Sequence, residues 1–257
     1  MKDLAGKRII IGGGATGMGA ALAIRLAGYG ANIIVGDRNA AGLETLRPEL
    51  EGLPGKAVPV VFDLADDASI RALVQRCLDE FGGVDHLAIP AADTSVDTMR
   101  NDNPVLDMDP AIWERVFRIN VIGHGMLMKA AIPHMIAAGG GSVAVISSEA
   151  SFIGMDYVPA YSASKAALGA LVRHAARACG QHKIRVNGVC PGLVFDPRKA
   201  GAVAAREEVV GASPDNCLRR HGQPDDVAKV ICFLLSDESG WMTGQVISAN
   251  GGKFMRE

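Results

Sequence analysis

A chain of 257 residues, 49% hydrophobic and 21% charged, has apolar content enough for one large core and the balance of a globular protein. A formal net charge of −2 without any basic tract excludes a surface organised for nucleic acid or an anionic membrane. No apolar run spans a bilayer, Met1 to Lys7 show neither the apolar core nor the cleavage site of a signal peptide and lead into a strand-like run, and the five cysteines show no metal-ligand spacing. We expect a cytoplasmic protein with reduced, buried thiols, no membrane association and no metal.

Short β-rich runs alternate with longer helical patterns. Arg8 to Ile11 is a continuous apolar strand of the kind a buried parallel sheet requires. Gly17 to Tyr29 follows as a helix of small residues, Asn32 to Val35 as the second strand and Ala57 to Phe62 as the third. Asp66 to Phe81 is amphipathic, with Ile70, Leu73, Val74, Cys77 and Leu78 on one face. Val84 to Ile89 is the fourth strand. Pro110 to Ala138 reads as one long helical region that Gly123, Gly125 and Pro133 can bend. Ser142 to Ile146 is the fifth strand, Ala160 to Gln181 a helix, Ile184 to Val189 the sixth strand, Pro224 to Leu235 a helix and Gln245 to Ser248 a last strand. No linker divides the series, so residues 1–257 form one α/β domain. Repeated βα units predict a doubly wound parallel sheet with helices on both faces. A crevice is expected beyond the strand carboxyl ends, where the strand order reverses.

Gly13-Gly14-Ala15-Thr16-Gly17-Met18-Gly19 directly follows the first strand and opens the first helix. Glycines let a pyrophosphate approach the backbone, and the helix N-terminus supplies free N–H groups and a favourable dipole. The spacing is GxxxGxG. Taken alone it is also what a flexible turn looks like; its place after the first strand favours phosphate. Asp37 ends the second strand, 18 residues beyond Gly19. A carboxylate there accepts both hydroxyls of an adenosine ribose and repels a 2′-phosphate, favouring NAD over NADP. The adjacent Arg38 argues the other way, because a guanidinium can hold that phosphate. Asp63-Leu64 ends the third strand, where Asp63 can meet an adenine amino group or cap the helix that follows.

Tyr161 and Lys165 are four apart on a predicted helix and share a face. A lysine cation favours phenolate and lowers the proton affinity of a tyrosine that otherwise titrates near 10. Ser148 stands at the carboxyl end of the fifth strand, placed to hold a substrate oxygen. Asn120 lies inside a helix, where its amide can hold a water beside Lys165. Each of these alone is as readily a solvated helix face or a turn serine. Their order behind a phosphate turn makes proton transfer the reading.

In these residues the chain resembles the classical short-chain dehydrogenase/reductase family over nearly its whole length. The GxxxGxG turn, Asp63, Asn120, Ser148, Tyr161-Ser162-Ala163-Ser164-Lys165 and Pro191-Gly192 stand at family spacing, as do Gly222 to Ala228, Thr243-Gly244-Gln245 and Gly251-Gly252. The resemblance implies a seven-stranded Rossmann sheet, usually in a homotetramer. It implies Tyr161 as general acid/base, Lys165 on the nicotinamide ribose and the tyrosine, Ser148 polarising the substrate and Asn120 in the proton relay. It places the dinucleotide on Gly13, Thr16, Gly17, Met18, Gly19, Asp37, Arg38, Asp63, Leu64, Ala91, Tyr161, Lys165, Pro191, Gly192 and Val194.

Three positions depart from the family pattern. Ile89-Pro90-Ala91-Ala92 replaces Asn-Asn-Ala-Gly, removing two amides and a backbone donor, so that strand end needs another brace. Asp196 stands where the family has threonine after Pro-Gly, and Gly12 where it has threonine before the first glycine. A substrate lid is expected around 195–216, and Glu149, Phe152, Met155, Tyr157, Asp196 and His221 are candidate pocket residues. His124 and His134 need no role in chemistry. The expected activity is hydride transfer between NAD(H) and a small or medium secondary alcohol or ketone. The alternative is a noncatalytic dinucleotide-binding protein on the same fold, in keeping with the missing Asn-Asn pair.

Overall fold

In the computed structural model, which describes residues 1–196 and 215–255, the apolar runs become seven strands. These are β1 (Arg8–Gly12), β2 (Asn32–Asp37), β3 (Ala57–Val61), β4 (His86–Ile89), β5 (Gly141–Ile146), β6 (Ile184–Pro191) and β7 (Val246–Ala249). They form one sheet in the order β3-β2-β1-β4-β5-β6-β7, and every pairing is parallel. The helices are α1 (Gly17–Gly28), α2 (Ala40–Leu50), α3 (Asp67–Phe81), α4 (Val96–Asn101), α5 (Pro110–Phe117), α6 (His124–Ala137), α7 (Pro159–Cys179) and α8 (Pro224–Leu235). This is a single doubly wound Rossmann-like domain with helices on both faces.

The strand alternation sorts the core into two layers. Ile9, Ile11, Ile33 and Val35 pack with Leu22 and Leu26 of α1, Leu43 and Leu46 of α2 and Ile231 of α8. Ile10 and Ile34 point the other way, onto Leu73 of α3, Leu127 of α6 and Val172 of α7. Each such side chain is fully buried or nearly so and contributes about 1.5–3 kcal/mol of transfer free energy. Local signals set the helix ends. Asp66, not Asp63, caps α3 by accepting from the Ala68 N–H, and Gly82 at φ 76° closes it. Asp63 instead accepts from the Ala65 N–H. Gln223 and Asp226 form a reciprocal capping box on α8.

The long helical region of 110–138 is three pieces. Between α5 and α6 runs a π-helical segment, Arg118–Gly123, whose wider turns follow i→i+5 bonding. α2 lies in a stretch without an expected helix; Pro48 and Gly42 stand inside it. α4 likewise lies in a stretch where no helix is expected. Four of the five cysteines are buried and all are free, but Cys217 is exposed, contrary to expectation. Among the described residues no helix is long and apolar enough to cross a membrane, and no three His, Cys, Asp or Glu side chains gather as a metal site. Most of the expected lid, 197–214, lies outside the described residues.

Candidate active site

The strand order reverses between β1 and β4, and there a cleft of about 520 Å³ opens beyond the strand carboxyl ends. One end is walled by Gly13, Thr16, Gly17, Met18 and Gly19, with Asp37, Arg38, Asp63 and Leu64 beside them. The other end is walled by Ser148, Tyr161 and Lys165, with Pro191, Val194 and Asp196.

The glycine turn is shaped by close approach. Gly13 has φ +104°, and a Cβ there would lie 2.6 Å from the backbone of Ala91. A Cβ on Gly19 would lie 1.9 Å from the Gly13 carbonyl. The Gly13 and Gly14 N–H groups donate to the Gly36 carbonyl at 2.7 and 3.0 Å. Thr16, at the N-cap of α1, makes no side-chain cap bond. The first N–H groups of α1 therefore have no side-chain cap at the cleft wall, the arrangement that suits a pyrophosphate.

Asp37 braces this turn from β2. One carboxylate oxygen accepts from the Ala15 N–H and the other from the Asn39 N–H, both at 2.9 Å. Arg38 reaches the opposite way, to Asp93, with 3.7 Å between guanidinium and carboxylate. Asp93 is buried and lines the cleft. Burial opposes its ionisation, yet hydrogen bonds from Ser95, Thr98 and Arg115 hold its carboxyl below the usual carboxylate range.

At the other end α7 presents Tyr161 and Lys165 one turn apart. The helix starts after Val158, whose φ is +53°, and its cap comes from a distant residue. Asp102, just past α4, accepts from the Ala160 and Tyr161 N–H groups at 3.0 and 2.9 Å. Lys165 is fully buried, its Nζ donates to the Ile146 carbonyl at 2.7 Å, and it lies 5.8 Å from the centre of the Tyr161 ring. Desolvation pulls its pKa down to about 7. Ser148 follows β5, its Oγ accepting from the Ala150 N–H at 3.2 Å. Ser147 Oγ donates to the Lys165 carbonyl at 3.0 Å, tying α7 to the end of β5. His124 is wholly buried, and burial together with the charge of Lys165 drives its pKa down to about 3, so it is a neutral core residue.

Asn120 does not line the cleft. From the π-helical segment its Oδ1 accepts from the Asp93 N–H at 2.7 Å, and its Nδ2 donates to Ser164 Oγ at 3.1 Å. Its side chain thereby ties residue 93 to α7. This supplies the brace that Ile89-Pro90-Ala91-Ala92 lacks, together with the Ala91 N–H bonding to the Gly12 carbonyl at 3.0 Å. Ser164 Oγ in turn donates to the Tyr161 carbonyl at 2.7 Å.

Of the dinucleotide residues expected from sequence, all but Gly192 line the cleft. Gly192 lines a smaller cavity of about 190 Å³ beside Asn216 and Asn250. Of the candidate substrate residues, Asp196 lines the cleft, whereas Glu149, Phe152, Met155, Tyr157 and His221 are not among its described walls. Phe152 stacks on Phe254 at 5.8 Å, and His221 packs edge-on against Phe195 at 4.5 Å. Glu149, half-buried, has its pKa raised by desolvation and lies 3.8 Å from Lys253. Sequence reasoning missed Asp93 and Asp102; the structure shows what they hold.

Comparison with known proteins accords with this geometry. A family model described as Enoyl-(Acyl carrier protein) reductase matches residues 13–253. The 3-oxoacyl-[acyl-carrier-protein] reductase FabG of Thermotoga maritima is 35% identical over 250 residues, covering 97% of this chain and 98% of that protein. The cis-4-hydroxycyclohexanecarboxylate dehydrogenase of Sinomonas cyclohexanicum is 34% identical over 244 residues, covering 95% and 94%. A short-chain type dehydrogenase/reductase from Mycobacterium ulcerans superposes with a TM-score of 0.88 at 30% identity, covering 97% of this chain and 90% of that one. With similarity running from the glycine turn to the C-terminal strand, and the whole fold shared, the chain belongs to the classical short-chain dehydrogenase/reductase family of oxidoreductases.

Proposed function

We propose that this chain interconverts a small or medium secondary alcohol, cyclic ones included, and its ketone, using NAD(H) in preference to NADP(H). The observation that carries this reading is the convergence of Ser148, Tyr161 and Lys165 on one wall of a cleft whose far end offers the glycine turn and Asp37. The dinucleotide, when bound, supplies or accepts the hydride. Gly13, Thr16, Gly17, Met18 and Gly19 would hold its pyrophosphate, Asp37 the adenosine ribose hydroxyls, Asp63, Leu64 and Ala91 the adenine side, and Pro191 and Val194 the nicotinamide end. Tyr161 donates a proton to the substrate oxygen in reduction and takes it back in oxidation. Ser148 donates a hydrogen bond to that oxygen, and Lys165, when charged, favours the phenolate. Asn120 positions the site by holding residue 93 and Ser164.

The ring alcohol named for the Sinomonas relative, and a substrate end that mixes Ser148 and Asp196 with Phe195, support the substrate class. The noncatalytic alternative draws on the lost Asn-Asn pair, but Gly12 and Asn120 brace that strand end instead. We read the protein as cytoplasmic, in keeping with five free cysteines, and as a homotetramer. A Cβ on Gly125 or Gly169 would meet nothing nearer than 3.6 Å, so these positions leave room for a second helix; light scattering at the mass of a monomer would overturn this.

The activity is tested by screening secondary alcohols and ketones with both cofactors at the nicotinamide absorbance, then repeating the best pair with Tyr161→Phe. Turnover should fall about 100- to 10,000-fold while dinucleotide binding persists. Near-normal turnover in that variant would show that the proton comes from another group.

A further inference from the structure

Arg38 and Asp93 belong to opposite sides of the cleft. Arg38 follows the end of β2 and Asp93 lies beyond the end of β4, with β1 and its glycine turn between them. Their ion pair therefore bridges two strand spacings, roughly 10 Å of backbone separation, over the groove in which Asp37 would meet a ribose. Arg38 is half exposed, whereas the Asp93 side chain is fully buried. Ser95 N–H and Oγ bond one Asp93 oxygen at 3.2 and 2.8 Å, and Thr98 and Arg115 bond the other at 2.8 Å each. Arg115 has a further carboxylate nearby, Asp97 at 3.9 Å. The carboxylate that meets Arg38 is thus fixed, and its charge is shared between Arg115 at 2.8 Å and Arg38 at 3.7 Å.

We propose that Asp93 is a specificity-determining positioning residue, one that holds the Arg38 guanidinium across the groove and so withdraws it from a 2′-phosphate. A 2′-phosphorylated dinucleotide must compete with Asp93 for Arg38, while an unphosphorylated one need not. Discrimination is then set from two sides: Asp37 repels the phosphate, and Asp93 occupies the one cation adjacent in sequence to Asp37. This rests on the reading of the cleft as a dinucleotide site.

The test is a fluorescence titration of NADH and of NADPH into the unmodified chain, Asp93→Asn, Arg38→Ala and the double variant, each checked for a cooperative melt. Asparagine keeps the size of the side chain and removes its charge. The expected result is that Asp93→Asn improves NADPH affinity relative to NADH by about two- to fivefold, the scale of a partly exposed ion pair, and that the double variant loses this gain. A folded Asp93→Asn with an unchanged ratio, or a gain that persists without Arg38, overturns the proposal. If Asp93→Asn does not fold, Arg38→Ala decides. The proposal expects it to shift the ratio less than about twofold; a tenfold loss of NADPH affinity would show Arg38 already free for phosphate and refute it. An unmodified chain that binds neither nucleotide overturns the dehydrogenase reading and this inference together, whereas binding of both with an unaltered ratio in Asp93→Asn overturns this inference alone.

Discussion

Among the described residues Lys165 is the largest fully buried side chain, and replacing it with methionine should stabilise the fold while abolishing activity. Its pKa is drawn from 10.5 to about 7 by desolvation, which corresponds to about 5 kcal/mol against the charged form. Losing the bond from Nζ to the Ile146 carbonyl returns about 1–3 kcal/mol, so the net gain at pH 6 is about 2–4 kcal/mol. The sign follows from proton binding. Between pH 7 and 10.5 the unfolded chain holds a proton on this lysine that the folded chain has released, so stability of the unmodified protein rises with pH across that window. Below pH 7 the lysine is charged in both states and the penalty is at its full value. Urea unfolding at pH 6 and pH 9.5, without dinucleotide, measures both effects. Lys165→Met should be the more stable at pH 6, and its advantage should shrink at pH 9.5. A variant less stable at both pH values by the same amount would refute the burial argument and mark the lysine as a net structural contributor.

Asp102→Ala removes the acceptor for two N–H groups at the start of α7. It should cost about 1–2 kcal/mol in thermal unfolding and lower turnover more than dinucleotide affinity, since the helix start that frees is the one holding Tyr161. Asp37→Ala should narrow the preference for NADH over NADPH in equilibrium titration. Because Asp37 also accepts from the Ala15 N–H, affinity for both nucleotides should fall by about threefold or more; a selective gain of NADPH with NADH unchanged would show that the brace contributes nothing.

The alternating βα plan is legible in the sequence because strands buried on both faces must be continuous apolar runs, and Arg8 to Ile11 and Asn32 to Val35 are. The chain order of Ser148, Tyr161 and Lys165 likewise transfers directly to space, since strand ends and helix turns have fixed geometry. α2 was harder to see, for Gly42 and Pro48 interrupt it, although Leu43, Leu46 and Leu50 do carry its buried face. What Asn120 touches could not be read at all. Its partners, the backbone of residue 93 and Ser164, are 27 and 44 residues away, and side-chain pairing at that range depends on packing that no local pattern encodes. Asp93 and Asp102 were hidden for a related reason: in a segment rich in Asp, Asn and Pro, a carboxylate that holds a remote group looks the same as one that closes a turn.

The π-helical segment Arg118–Gly123 has a consequence for how such a site can be gained or lost. A wide turn of this kind accommodates an extra residue within an otherwise regular helix, leaving the flanks on either side to keep their faces. A chain one residue shorter here would let α5 and α6 join as a single α-helix, with Leu127, Met128 and Met135 still in the core. Circular dichroism would scarcely register the deletion, while the amide of Asn120 would leave the Asp93 backbone and turnover would collapse; retained turnover would show that the wide turn is dispensable. Fold and site are therefore separable here by a single residue.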